Sequence, residues 1–182
     1  GYSEDSKNSA EFLINKFVKP GKNVLTLKIY RWSTGSYLEC QDFWRISGIE
    51  RDVFLYSQPK AALKDFRVTS TLDDTYKDGI FKLGVDLRNN GSTAGNMTLV
   101  YELLDANGKV VATGEKATNV AAGETRTVSF DQTLPDVKTW TSEAPNLYKL
   151  VMTVKENGKV NEIIPFNVGF RRIEIKPTEQ LA

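Results

Sequence analysis

The sequence predicts an all-β chain: one complete β-sandwich preceded by the tail of a larger β domain. Three observations predict it. Apolar residues alternate with polar ones along several segments, the two-residue period of a half-buried sheet. Turn signals punctuate residues 58–176 roughly every 8–12 residues, the spacing of a sandwich. No window longer than about ten residues keeps the 3.6-residue apolar period of a helix.

In chain order, residues 12–18, 23–30 and 49–56 are strand candidates, with Pro20-Gly21 turning between the first two. The irregular piece 32–48 separates the second from the third. Three strands cannot enclose a core, so this region reads as the end of a larger β domain. Gln58-Pro59 marks the boundary, because proline cannot continue a central strand. Residues 63–72 open the sandwich. The clearest strand is 79–88, where Phe81, Leu83, Val85 and Leu87 alternate with Lys82, Gly84, Asp86 and Arg88. In 97–104, Met97, Leu99, Tyr101 and Leu103 share one face, and Asp105-Ala106-Asn107-Gly108 turns into 109–113. Residues 125–131 form the next strand. Tyr148, Leu150, Met152 and Val154 line one face of 148–155. Asn157-Gly158 is a hairpin signal, since both residues tolerate positive φ. Residues 160–166 return and 168–175 close the set. Segments 89–95 and 121–123 are loops by composition.

Composition narrows the function classes. Of 182 residues, 40% are hydrophobic and 26% charged, a globular balance. The net charge is +1, and residues 1–57 hold eight Lys+Arg against seven Asp+Glu. No basic patch therefore points to nucleic acid, and no apolar run approaches the roughly 18 residues of a membrane helix. The chain has no histidine and one cysteine, Cys40. That excludes an intrachain disulfide and a Cys-based zinc site, and removes the commonest general base. Cys40 reads as a small buried apolar residue. The chain does not begin with Met and carries no signal peptide; it reads as an excised segment, and its compartment is not set by its ends.

Three motifs carry the functional reading. The first is Arg31 to Val53, which contains Gly35-Ser36-Tyr37-Leu38-Glu39 and Gln41-Asp42-Phe43-Trp44-Arg45. The second is Trp140-Thr141-Ser142-Glu143-Ala144-Pro145-Asn146-Leu147-Tyr148, and the third Val168-Gly169-Phe170-Arg171. Together with Gly1-Tyr2-Ser3-Glu4-Asp5-Ser6 and Pro20-Gly21-Lys22-Asn23-Val24-Leu25, they resemble glycoside hydrolase family 2, bacterial β-galactosidase type. The second and third motifs resemble the family at large; the first resembles its galactosidase branch. The resemblance implies that residues 1–57 are the end of a jelly-roll sugar-binding domain and 58–176 an immunoglobulin-like sandwich. It implies that 177–182 begin a linker to a (β/α)8 catalytic barrel that lies beyond Ala182 with both catalytic glutamates. It also implies a parent that hydrolyses terminal β-D-galactosides with retention, magnesium in the barrel, and a bacterial origin. The sequence departs from the family at Cys40, where an acidic residue is expected.

By the same resemblance, Asp42 reaches the galactose pocket, contacts the sugar's 6-hydroxyl and ligates sodium. A carboxylate suits both tasks, as hydroxyl acceptor and as hard oxygen donor. On residue type alone, Asp42 is an arginine partner or a turn former. Trp32, Tyr37, Trp44 and Arg45 are expected to anchor the loop; with Phe43, the three aromatics form the alternative, a sugar-stacking platform. Arg31, Arg45 and Arg51 are expected to pair with Glu39, Glu50 or Asp52. Nothing in the spacing of Glu39, Asp42, Glu50 and Asp52 shows the close carboxyl pair that a retaining glycosidase needs. No catalytic residue is therefore assigned to this segment. Residues 73–79 are a polar turn: Tyr76 and Val85 stand where a calcium loop needs oxygen ligands.

The expected role is to hold jelly roll and barrel in register and to complete the sugar pocket with one loop. The rival from another class is a stand-alone carbohydrate-binding or adhesive module; a third reading is a spacer that binds no sugar. Expected partners are the β-galactoside and the parent's own barrel. Val24, Leu25, Leu27 and Ile29 are expected to lack sheet partners and to pair with a second copy or move.

Overall fold

The computed structural model describes residues 1–4, 8–38, 48–49 and 51–175. Asp42, Trp44, Arg45 and Cys40 lie outside the described residues. The chain divides into two units, Gly1–Tyr56 and Ser57–Ala182.

The second unit is a seven-stranded antiparallel sandwich: β1 (Ala61–Leu72), β2 (Gly79–Asn89), β3 (Gly95–Leu104), β4 (Val110–Val120), β5 (Thr125–Leu134), β6 (Tyr148–Glu156) and β7 (Lys159–Val168). One sheet has the order β1-β2-β5 and the other β4-β3-β6-β7. The alternating residues face inward as their period demands. Phe81, Leu83, Val85 and Leu87 from β2 meet Met97, Leu99, Tyr101 and Leu103 from β3 and Leu150, Met152 and Val154 from β6. All of these are essentially inaccessible. The Tyr101 ring packs at 5.5 Å from Phe81 and edge-on to Phe130 at 4.8 Å. The Asn157-Gly158 turn forms as its residues require, with φ of 49° and 82° and Glu156 opposite Lys159.

Two strand expectations need correction. β4 runs to Val120, not Thr113. It is an edge strand, so most of its side chains face solvent and supply no apolar alternation. Conversely, 168–175 is not a strand. β7 ends at Val168, and Phe170 makes a single parallel bridge to Thr139. There the backbone turns inward, seating Phe170 in the core at 0% exposure.

The chain enters the sandwich at one end of β1 and leaves at the other. At the first end, the Glu162 carboxylate accepts from the Leu63 N–H at 2.8 Å and from Gln58 at 3.2 Å. The Asn90 N–H donates to the Lys60 carbonyl at 2.7 Å. Asn89, the buried polar residue of this end, is fully satisfied: Nδ2 donates to Thr93 O and Val120 O, and Oδ1 accepts from the Gly91 N–H. At the far end, the Ser70 hydroxyl donates to Gly169 O at 2.8 Å. The ten residue steps from Lys60 to Ser70 separate the two points by about 33 Å at a strand's rise.

The described residues of the first unit contain no strand. Of the segments expected as strands, residues 12–18, 23–30 and the described part of 49–56 run without a ladder; Asn15–Phe17 form a 3-10 turn and Gly35–Leu38 a single helical turn, α1. The physical reason is the one that limits any three-strand fragment: with no opposing sheet, a ladder would bury too little apolar surface. Val24 is 82% exposed, and Leu25, Leu27 and Ile29 are about half exposed.

Candidate functional site

Two regions could carry function: the approach to the Asp42 loop in the first unit, and the exit end of the sandwich.

The described residues before the Asp42 loop are tied by polar contacts, both local and between distant residues. Ser33 and Ser36 close the turn into α1: the Ser33 N–H donates to Ser36 Oγ at 2.9 Å and the Ser36 N–H to Ser33 O at 3.1 Å. Glu4 ties this turn to the start of the chain, accepting from Tyr2 Oη at 2.7 Å and Thr34 Oγ1 at 3.1 Å. These donors, Tyr2 first, hold the Glu4 carboxyl below its ordinary pKa, and Glu4 in turn raises that of Tyr2. Glu4 was not singled out from sequence; its partners lie about thirty residues apart, and no local pattern marks them.

Of the expected loop anchors, Trp32 and Tyr37 are described, at 59% and 82% exposure. The Arg31 guanidinium lies over the Trp32 ring at 5.5 Å. Asp42, Trp44 and Arg45 fall outside the described residues, as do Phe43, Glu39 and Glu50, and so do the ion pairs expected of Arg45, Glu39 and Glu50. Among the described residues, no three metal-ligating side chains gather anywhere in the chain.

The exit end brings the other two motifs together. The Trp140 N–H donates to Phe170 O at 2.8 Å. Trp140 then pairs back with Pro145, while the Thr141 N–H reaches Ala144 O and the Ala144 N–H reaches Thr141 Oγ1. Asn146 Nδ2 donates to Thr139 O at 2.9 Å. Tyr148 opens β6 and packs edge-on against Phe170 at 5.3 Å, while its hydroxyl accepts from the Lys138 N–H at 2.9 Å. This is the tyrosine corner of sandwich folds, a ring in the core with its hydroxyl returned to backbone upstream. Gly169 sits under the Trp140 ring, where an added Cβ would meet ring carbons at about 3.1 Å. Arg171 covers the same ring at 5.1 Å. The motif residues are thus explained by packing: they lock the 135–147 connection to the segment that leaves the sandwich.

Beyond Phe170, Arg172 crosses to the β1–β2 turn. Its Nη1 lies 2.6 Å from Asp74 Oδ1, its Nε pairs with Glu174, and its guanidinium covers the Tyr76 ring at 5.3 Å. The Asp74 contact, first, pushes the Arg172 pKa up, so the charge is secure. The turn itself is organised by Asp73. Its carboxylate accepts from Thr75 Oγ1 at 2.7 Å and from the N–H groups of Lys77 and Asp78, and these hold its pKa down. The polar-turn reading of 73–79 holds.

Comparisons with known proteins bear on both regions. Residues 61–171 match the model of the glycosyl hydrolases family 2, and residues 1–59 the model of that family's sugar binding domain. The β-galactosidase of Priestia megaterium is 42% identical over 178 residues, which are 97% of this chain and 17% of that protein. The β-galactosidase of Streptococcus thermophilus is 41% identical over 176 residues, 97% of this chain and 16% of its own. The chain therefore spans about one sixth of the length of these relatives. The crystal structure of Bacteroides uniformis β-glucuronidase superposes with a TM-score of 0.67 over 72% of this chain and 17% of its own, at 19% identity, a likeness of fold. A family model matched over more than half of its residues, with the signature residues accounted for at the exit of the sandwich, makes this chain a member of the glycosyl hydrolases family 2.

Proposed function

We propose that this chain is the non-catalytic part of a retaining β-galactosidase, which positions its domains and contributes one loop to the sugar pocket. The observation that carries the reading is the identity of about 40% to β-galactosidases along nearly the whole chain. Residues 1–57 are the end of the jelly roll, 58–176 the sandwich, and 177–182 the start of the linker. The division at Tyr56 and Ser57 and the matched stretches 1–59 and 61–171 support these bounds. The parent's two catalytic carboxylates lie in its barrel, about 5 Å apart as retention requires.

Within that reading Asp42 is the substrate contact. Its carboxylate accepts the proton of a galactose hydroxyl and orients the sugar, without taking part in bond breaking. Its hard oxygens also suit sodium, which would add positive charge beside the sugar hydroxyls. Trp32, Tyr37, Trp44 and Arg45 hold the loop against surfaces of the parent. The exposure of Trp32 and Tyr37 in this unit supports contact with surfaces beyond it. The sandwich supplies distance and rigidity: about 33 Å along β1 between where the chain enters and where it leaves. Such support matters because a small displacement of reacting groups is costly in rate.

The test is hydrolysis of an aryl β-galactoside by the full-length gene product and by this chain alone. The reading expects turnover by the first and none by the second. Turnover of β-glucuronides but not β-galactosides by the full-length protein would overturn the substrate assignment.

A further inference from the structure

The turn that receives Arg172 is built around a residue in an unfavourable conformation. Tyr76 sits at φ of 58°, in the left-handed region. A bulky aromatic residue is a rare and strained occupant there, and glycine takes the same conformation freely. The backbone requires it: the Tyr76 N–H donates to Asp73 O at 3.1 Å, while the next two N–H groups, of Lys77 and Asp78, bond to the Asp73 carboxylate. What tyrosine adds over glycine is a ring, and that ring lies beneath the Arg172 guanidinium. Asp74, beside it in the turn, takes Nη1, and Glu174, on the departing chain, takes Nε. The arginine is thus held on its face and along two edges, with its side chain only 25% exposed. Planar guanidinium is suited to this combination of stacking and forked pairing, and an ammonium group is not. Asp74 is 96% exposed, and a lone ion pair there would hold little. The ring under the arginine makes the contact directional.

We propose that Tyr76, Asp74 and Arg172 form a latch that fixes the direction in which the chain leaves the sandwich. The buried seat of Phe170 sets where the chain emerges, and the latch two residues later sets where it points. Strain at Tyr76 is kept because the ring is needed outside the turn, not within it. If the sandwich positions a catalytic domain, as read above, Arg172 is a positioning residue for that domain's reaction; only this last step rests on that reading.

The experiment uses the full 182-residue chain and its variants Tyr76→Gly and Tyr76→Phe, with two readouts. One is the thermal unfolding midpoint. The other is the rate of tryptic cleavage after Arg172, followed by mass spectrometry. The latch predicts that Tyr76→Gly leaves the midpoint unchanged or raised, because strain is removed. The same variant cleaves about fivefold faster after Arg172, the scale of one cation–π contact. Tyr76→Phe keeps the ring and behaves as wild type. Unchanged cleavage in Tyr76→Gly overturns the latch, as does a lowered midpoint in both variants, which would make the residue ordinary packing. A second arm separates the two readings. In the full-length hydrolase, Tyr76→Gly is expected to lower kcat/KM several-fold through kcat, at unchanged midpoint. Faster cleavage with unchanged kcat/KM leaves the latch standing and removes the positioning role.

Discussion

Single residues set the limits of this fold. Gly114 faces Tyr101 across β3 and β4, and a Cβ there would come within 2.7 Å of the Tyr101 ring and 2.9 Å of Phe130. Both rings are packed in the core. Replacing Gly114 with alanine is expected to destabilise the sandwich by about 1–3 kcal/mol, the usual cost of overpacking, measured by urea unfolding. Tyr101 invites the opposite test. Its hydroxyl is buried without a hydrogen-bonding partner among the described residues, and burial raises its pKa. Tyr101→Phe is expected to stabilise by about 1 kcal/mol, since a desolvated hydroxyl is removed and the ring contacts stay. A loss of stability would reveal a partner for that hydroxyl. At Asp73, hydrogen bonds from the Thr75 hydroxyl and the turn amides lower the folded-state pKa. The stability this gives is complete above the ordinary aspartate range and is lost as the pH falls below about 4, through the folded pKa. Asp73→Asn is expected to remove that acid sensitivity from the chemical shifts of the Lys77 and Asp78 amides.

At the level of elements, what the sequence disclosed depended on whether a strand has two faces. β2, β3 and β6 are legible because each presents an apolar face to the core and a polar one outward, so Phe81 to Leu87 and Tyr148 to Val154 alternate plainly. β4 is an edge, and its Gly114-Glu115-Lys116 stretch carries no such signal, so only its first residues could be read. The segment 168–175 alternates well enough to suggest a strand, but Phe170 is drawn into the core by Tyr148 and the ladder ends. The exit lock was legible as a motif and not as a structure, because Trp140 and Phe170 are thirty residues apart and meet only in the fold. In the first unit, sequence names Asp42, which lies outside the described residues, while the Glu4 to Thr34 contact is non-local and was missed. Residues 23–30 show a strand pattern with no ladder, since pattern alone supplies no partner strand. Their half-exposed Leu25, Leu27 and Ile29 are expected to make the isolated chain associate with a second copy. Sedimentation velocity should show mass rising with concentration, and a monomer throughout would contradict this.

In the whole molecule the two units differ in what holds them in shape. The sandwich has its own core and saturated polar ends, from Asn89 at one to Tyr148 at the other. A chain of residues 57–175 is therefore expected to fold cooperatively, with an unfolding midpoint within a few degrees of that of the full 182-residue chain. The first unit keeps Phe54, Leu55 and Tyr56 more than half exposed. We propose that the chain lends one carboxylate, Asp42, to a galactose pocket whose chemistry is done by other residues. The most direct measurement is kcat/KM for β-galactoside hydrolysis by full-length wild type and Asp42→Asn across a sodium titration. The account predicts a loss of about 10- to 100-fold, the worth of a hydrogen bond to a charged group, together with loss of the sodium response. Equal kcat/KM and an equal sodium response in the two proteins would contradict it.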